Sequence, residues 1–326
     1  MTFKTNWEKA DKQIQLSLDT IRSMVKQAFP EKTLESHDII SGGCANLNIK
    51  IHLKTDEHPY ILRVYLRDKE AAFREQKIGE LLKQTVPIPA IYFIGDDEQH
   101  RFAITQFIEG ITLRELLLGD LPHNLPALMY EAGSILGKIQ SHHFKTAGFF
   151  DENLTICEPI SQSGLVEFAK NCLKNATAMP CLSNTVLMKI DYFLEKYQSL
   201  FPDEHNHHLV HADYDPANIL VNQRNGDWEI TGVLDWEFSF SGSPLWDVAN
   251  MLRYAHQMPT VFETSFLKGL SSSFSLPEHW KLSVHLLNLL SLLDCLVRCP
   301  PLDRPNQCKD ICTLIQYITD QLDKTP

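Results

Sequence analysis

The chain has 326 residues, 44% of them hydrophobic and 22% charged, which are ordinary globular values and exclude a disordered or low-complexity protein. That length exceeds what one compact core usually holds, so two lobes are expected. Thirty Lys and Arg against forty-one Asp and Glu leave a net charge of −11, which argues against nucleic acid or an anionic membrane as partner, because both need positive charge facing phosphate.

Residues 1–11 carry charges and no apolar run, so no secretory leader is expected and the reading is a cytoplasmic protein. From residue 7 to 29, Ile14, Leu16, Leu18, Ile21, Met24, Val25 and Phe29 recur at helical spacing before Pro30. Residues 38–53 then read as two strands around the Gly42-Gly43 turn, and residues 60–65 as a third strand. Residues 69–83 return to helical periodicity through Phe73, Ile78, Leu81 and Leu82, and short strands follow near 90–95 and 102–107. Strands with one helix among them predict a small α+β lobe built on an antiparallel sheet.

Beyond residues 106–110 the pattern is mostly helical: 112–118, 125–142, 165–173, 185–200, and three or four helices after Thr260. A mixed segment at 208–247 interrupts them with strand-like runs at 219–221 and 230–234. The division expected is an N-terminal lobe over 1–105, a hinge at 106–110 and a C-terminal lobe over 111–326, with a cleft where the lobes meet. The apolar stretch at 282–297 is interrupted by Ser283, His285, Asn288 and Asp294, so it reads as an amphipathic or buried helix rather than a membrane span. Eight scattered cysteines fit a reducing compartment. The pairs Cys295/Cys299 and Cys308/Cys312 each fall on one helix face, where core packing is expected rather than zinc or a disulfide.

One constellation carries chemistry. Residues 211–218 read His-Ala-Asp-Tyr-Asp-Pro-Ala-Asn, followed by an apolar run, and a second apolar run leads into Asp235-Trp236-Glu237. A carboxylate, an amide five residues on and a further carboxylate at the tip of a hairpin suit Mg²⁺-dependent phosphoryl transfer. Asp213 can orient the proton of an attacking hydroxyl, while Asn218 and Asp235 offer the hard oxygen ligands that Mg²⁺ prefers.

This pattern resembles the aminoglycoside phosphotransferase and choline kinase family, whose members share the bilobal protein-kinase-like fold. The resemblance spans nearly the whole chain. It implies a catalytic role for Asp213, with His211 steadying its loop, and metal ligation by Asn218 and Asp235 with Glu237 beside the second ion. It further implies that Arg63 holds nucleotide phosphates, that Glu75 pairs with Arg63, and that Gly42 and Gly43 let backbone approach phosphate. The hinge backbone at Gln106 and Ile108 would then meet adenine, with ATP the expected nucleotide and GTP left open. Asp247 is expected to brace the catalytic loop. Three positions depart from the family pattern: Ala212 where Gly is frequent, Gln140 where His is frequent, and Asp215 where many antibiotic kinases carry His.

The function implied is a kinase acting on a hydroxyl of a small polar molecule: an aminoglycoside, choline or another amino alcohol, homoserine, or a sugar-type acceptor. Asp215, Trp236 and Trp246 are the expected acceptor contacts, since carboxylates with aromatic faces suit a cation. A monomer or homodimer is expected. Two alternatives stand beside this reading. One is a nucleotide-binding regulatory pseudokinase; the other is a protein kinase, for which the few residues between Asp235 and Gly242 leave little activation segment.

Overall fold

The computed structural model describes residues 3–8, 16–40, 46–176, 181–299 and 302–324. The first helix, α1 (Leu18–Ala28), starts where Ser17 caps it by accepting the Thr20 N–H at 3.1 Å; residues 9–15 of the periodic stretch lie outside the described residues. Strands β1 (Leu34–Ile40), β2 (Asn46–Leu53) and β3 (Tyr60–Tyr65) follow, then helix α2 (Ala71–Leu82), then β4 (Ile91–Asp96) and β5 (Arg101–Gln106). These five strands form one antiparallel sheet in the order β1-β2-β3-β5-β4.

Strand alternation divides the sheet into two faces with different tasks. Leu47, Ile49, Ile51 and Leu53 of β2 join Leu62 and Val64 of β3, and Phe102 and Ile104 of β5, in one core against Ile21, Met24 and Val25 of α1. Those three helix residues sit at i, i+3 and i+4, and burying each is worth roughly 1.5–3 kcal/mol. The opposite face presents Asn46, Arg63 and Tyr65 toward the rest of the molecule, with Asn48 paired to Arg63 and Asn46 to Tyr65 across the strands.

After Gln106 the chain enters the helical part. Strand β6 (Ile111–Thr112) leads into α3 (Leu113–Leu118), whose start is fixed by a capping box between Thr112 and Glu115. Helix α4 (Leu125–Gln140), strands β7 (Gly148–Phe150) and β8 (Ile156–Pro159), and helices α5 (Gln162–Ala176) and α6 (Asn184–Lys196) come next. The mixed segment supplies β9 (His208–Val210), β10 (Ile219–Arg224), β11 (Asp227–Val233) and β12 (Phe240–Gly242). Helices α7 (Leu245–Leu252), α8 (Val261–Leu270), α9 (Trp280–Val297) and α10 (Pro305–Asp323) complete the chain. Strands β10 and β11 form a hairpin that β6 extends, and β8-β7-β12-β9 make a small antiparallel sheet.

Helix α9 is long and apolar enough to cross a bilayer by length and composition alone, yet Leu286, Leu289, Leu292 and Leu293 are fully buried in the large core, so it is the central packing helix of this lobe. Helices α4 and α8 approach so closely that a Cβ on Gly133 would lie 2.0 Å from the Phe266 carbonyl, and one on Gly269 would lie 2.0 Å from the Tyr130 carbonyl.

Two placements differ from the sequence reading. Residues 3–8 do not join the sheet: Phe3 is 3% exposed within the C-terminal core, against Tyr254 and Phe262. Only tertiary packing brings that aromatic pocket to the start of the chain. The cysteines are also not all free, because Cys181 is disulfide-bonded to Cys312 across 131 residues, and Cys308 lies 3.6 Å from Cys181, sulfur to sulfur. Packing of α6 against α10 makes this partner available, and no local spacing signals it. Cys299 and Cys308 are free and buried, and Cys295 is free and partly buried.

Candidate active site

The candidate catalytic loop runs from the end of β9 to the start of β10, and its shape is set by backbone constraints before any ligand is considered. Ala212 holds φ +71, the left-handed region that favours glycine. The bend is held by Asp247 of α7, whose two carboxylate oxygens accept the His211 N–H at 2.9 Å and the Ala212 N–H at 2.8 Å. Burial pushes the Asp247 carboxyl up to about 7, while these two N–H bonds favour its charged form. Asn250 of the same helix donates to the Ala212 carbonyl at 2.7 Å, and Arg253 donates to Asn250 at 2.6 Å and Asn288 at 2.8 Å.

His211 is fully buried, and burial lowers its pKa. Its Nδ1 accepts the Asp213 N–H at 3.2 Å, so the ring proton sits on Nε2, which donates to the Leu234 carbonyl at 2.8 Å. A neutral imidazole therefore ties the candidate catalytic loop to the segment after β11 that carries Asp235. The Trp236 ring packs on His211 at 4.4 Å between centroids, and its Nε1 donates to Val233. At 3% exposure Trp236 is buried against His211, so packing takes the place of the expected acceptor contact. Trp246, half-buried at the start of α7, meets the edge of Phe240.

Asn218 donates its Nδ2 both to the Asp213 carbonyl at 2.9 Å and to the Asp213 carboxylate Oδ2 at 2.8 Å. The Asn218 amide oxygen is then the atom left to face a cation. Burial raises the Asp213 carboxyl, but Lys4, with His211 and Arg253 behind it, more than offsets this and leaves the group below its usual value. Lys4 Nζ donates to Asp213 Oδ1 at 3.2 Å and makes a close ion pair with Asp215. Asp215 itself is 5% exposed and caps the loop by accepting the Ala217 N–H at 2.7 Å.

The second cluster spans the two lobes. Arg63 of β3 pairs with Glu75 of α2 at 3.0 Å and with Asp235 at 2.5 Å, and lies 3.8 Å from Glu237. Tyr65, two residues along the same strand face, donates to the other Glu75 oxygen at 2.6 Å. Asp235 takes φ +61, a left-handed turn that aims its carboxylate back toward the sheet. Asn46 donates to Glu237 at 2.9 Å, while the buried Asn46 Oδ1 has no hydrogen-bond partner among the described residues. Arg74, paired with Asp68, reaches the Glu237 carbonyl at 3.3 Å. Burial raises Glu75 and pushes Glu237 up to about 7, with Arg63 opposing the rise in both.

After β5, the exposed Gln106 exchanges hydrogen bonds with Ala90, donating its N–H at 2.8 Å and accepting at Oε1 from 3.3 Å. Ile108 is half-buried beside Gly232. Gly110 ends this stretch at φ +147, where a Cβ would meet the Val221 carbonyl at 2.4 Å. Gly42, Gly43 and Cys44 lie outside the described residues, between β1 and β2, which pair through Ile40 and Asn48.

The sequence model of the phosphotransferase enzyme family matches residues 38–280. The chain belongs to that family. Its architecture agrees: a thermostable mutant of aminoglycoside phosphotransferase APH(4)-Ia, in ternary complex with AMP-PNP and hygromycin B, superposes with a TM-score of 0.70 at 20% identity, covering 94% of this chain and 100% of that one. ADP-bound aminoglycoside phosphotransferase APH(2'')-Ib gives 0.60 at 19% identity, covering 94% and 99%. The gentamicin–APH(2'')-IIa complex gives 0.59 at 17% identity, covering 96% and 98%. At these identities the likeness is one of fold, the protein-kinase-like bilobal α+β architecture. No curated protein matches the chain by sequence. In this phosphotransferase only a short turn separates Asp235 from β12 at Phe240, so the chain has no activation segment at that position.

Sequence reasoning did not single out Lys4, Asn46, Tyr65, Arg74, Asn250 or Arg253. Tyr65 was detectable by strand alternation from Arg63, and Arg74 as the neighbour of Glu75. Lys4 carried no local signal at all.

Proposed function

We propose that this phosphotransferase transfers the γ-phosphate of ATP to a hydroxyl group of a small, polar, amino-bearing acceptor, with Mg²⁺ as the ion at the phosphates. The observation that carries the reading is the bond between Asn218 Nδ2 and Asp213 Oδ2 at 2.8 Å, which couples the proposed base to a proposed metal ligand through one side chain. Asp213 orients the acceptor hydroxyl and takes its proton as the oxygen attacks phosphorus in line. Arg63, held at one end by Glu75, supplies fixed positive charge for phosphate oxygens as charge develops there. Positioning and electrostatics do the work, and no covalent enzyme intermediate is needed.

The donor set suits Mg²⁺. Asn218 Oδ1, the Asp235 carboxylate and the Glu237 carboxylate are hard oxygen ligands, and the buried Asn46 oxygen beside Glu237 has no partner among the described residues. When bound, Mg²⁺ would neutralise the phosphate charge. Arg63 now occupies Asp235, so nucleotide binding exchanges an internal ion pair for contacts to phosphate. The division into an N-terminal lobe, a hinge at 106–110 and a C-terminal lobe is part of the same proposal, with adenine at Gln106 and Ile108 and phosphates beneath Gly42 and Gly43. The bound AMP-PNP, ADP, hygromycin B and gentamicin of the similar structures support a nucleotide and a small amino-bearing acceptor.

A coupled ADP-release assay over amino sugars, amino alcohols and sugars tests the reading. Turnover on the acceptor found should fall by roughly 10² to 10⁴-fold in Asp213→Asn, which keeps the shape but not the base. Unchanged turnover in that variant would remove Asp213 from its role.

A further inference from the structure

The catalytic loop carries a cation site that the chain fills with its own side chain. Lys4 Nζ bridges Asp213 Oδ1, at 3.2 Å, and Asp215 Oδ2, and lies 5.8 Å from the Trp7 ring centroid. Two carboxylates and an aromatic ring are the groups that select an ammonium. The Lys4 side chain is only 17% exposed, so this is a seated contact and not a surface pair.

The seat is built by the flanking residues. Phe3 packs on Tyr254 at 5.2 Å between ring centroids, and its carbonyl accepts from Arg114 at 3.4 Å. Trp7 Nε1 donates to Asp310 at 2.8 Å, and the Glu8 carboxylate accepts the Asn306 and Gln307 N–H groups at 2.7 and 3.0 Å, at the N-terminus of α10. Residues 3–8 thus form a strap anchored at both ends, with Lys4 between the anchors. Phe3 and Lys4 take φ +38 and +65, a left-handed stretch that side chains rarely adopt, so strain is concentrated where the ammonium enters the site.

We propose that this strap is an internal occupant of the acceptor site: Lys4 holds the place of an acceptor ammonium, and an amino-bearing acceptor binds by displacing it. The inference rests on the assignment of Asp213 to the acceptor hydroxyl. With Asp213 Oδ2 engaged by Asn218, Oδ1 is the oxygen left for that hydroxyl, and Lys4 sits on it. Displacement frees Oδ1 for the acceptor hydroxyl. A neutral alcohol gains less, because expelling Lys4 would leave two carboxylates without a countercharge. The strap therefore acts as a filter for charge, and the strained turn at Phe3 and Lys4 is the part that moves.

The test uses the full chain. Ethanolamine and glucosamine are titrated calorimetrically against the wild type, Lys4→Met and Lys4→Arg, with ethylene glycol and glucose as neutral counterparts. Lys4→Met keeps the apolar stem and drops the charge; it should bind both amines at least ten-fold more tightly than the wild type, with no matching gain for the neutral compounds. Lys4→Arg should retain wild-type weakness. Equal amine affinity in the wild type and Lys4→Met, or an equal gain for the neutral compounds, overturns the proposal. Amide hydrogen exchange on the wild type gives a reading independent of any variant's folding: saturating glucosamine should speed exchange in residues 4–8, whereas glucose should not. Unaltered exchange under saturation would also overturn it. ADP release is measured separately. Tighter amine binding without transfer to any acceptor would retain the strap and discard the phosphotransfer reading, and transfer with equal amine affinities would do the reverse.

Discussion

Ala212 shows how a single backbone angle shapes the site. At φ +71 a non-glycine residue bears strain of roughly 1–2 kcal/mol, and the surrounding bonds from Asp247 and Asn250 hold it there. Ala212→Gly relieves that strain but loosens the unfolded chain, two effects of about 1 kcal/mol each that nearly cancel. Urea denaturation should place the glycine variant within about 1 kcal/mol of the wild type and Ala212→Val lower by at least about 1–2 kcal/mol. A valine variant as stable as the wild type would contradict the left-handed turn. Asp213, Asn218 and Asp235 were legible as candidates because loop residues with fixed chain spacing leave a trace in one dimension. Trp236 was legible as present but not as buried, since the sequence does not say which side of the loop its ring takes.

Helix α9 shows the same limit at the next scale. Its apolar run was readable as a helix, and Ser283 and Asn288 were read as interruptions; both are in fact buried, and Asn288 donates to the Ala249 carbonyl at 2.9 Å while accepting from Arg253. His285 on the same helix faces Lys281, Glu263 and His256. Burial, then Lys281, with a smaller push from His256, lowers it to about 4 against the opposing pull of Glu263. The sign follows from proton binding: below pH 6.5 the unfolded chain takes up a proton that the folded protein refuses. This contribution to stability is complete above about pH 6.5 and is lost as pH falls toward 4, up to about 3 kcal/mol. Asp247, raised by burial, works in the opposite direction, so the comparison must be between proteins at each pH. The stability difference between His285→Gln and wild type should shift in the variant's favour from pH 7 to pH 4, as read from denaturation midpoints. A difference that does not change with pH would mean that His285 titrates normally.

Across the whole molecule, the decisive feature is that each cluster joins distant parts of the chain. Arg63 connects the sheet, through Glu75, to Asp235 of the C-terminal lobe. Removing it strands several carboxylates in a buried site, so Arg63→Met should cost about 3–5 kcal/mol of stability and also abolish nucleotide binding. Stability within about 0.5 kcal/mol of the wild type would show that the pairing contributes nothing across the lobes. Lys4 joins the first residues to the 211–218 loop in a similar way, through partners 209 and 211 positions away.

The small strand-rich lobe followed by a mostly helical part, and the spacing of His211, Asp213, Asn218 and Asp235, were determined by the sequence itself, because periodicity and short-range spacing are properties of a chain read in one direction. The tertiary structure alone decided that Lys4 sits on Asp213, that Trp236 turns inward, that Cys181 meets Cys312, and that Arg63 is shared among Glu75, Asp235 and Glu237. Those contacts depend on how helices and sheet pack over tens to hundreds of residues, and the packing is set by the summed burial of many side chains rather than by any local motif. The acidic excess met at the outset divides along the same line. Net charge is a sum over the chain, whereas the pairing of Asp213, Asp215, Asp235 and Glu237 with Lys4 and Arg63 exists only where the fold brings them together.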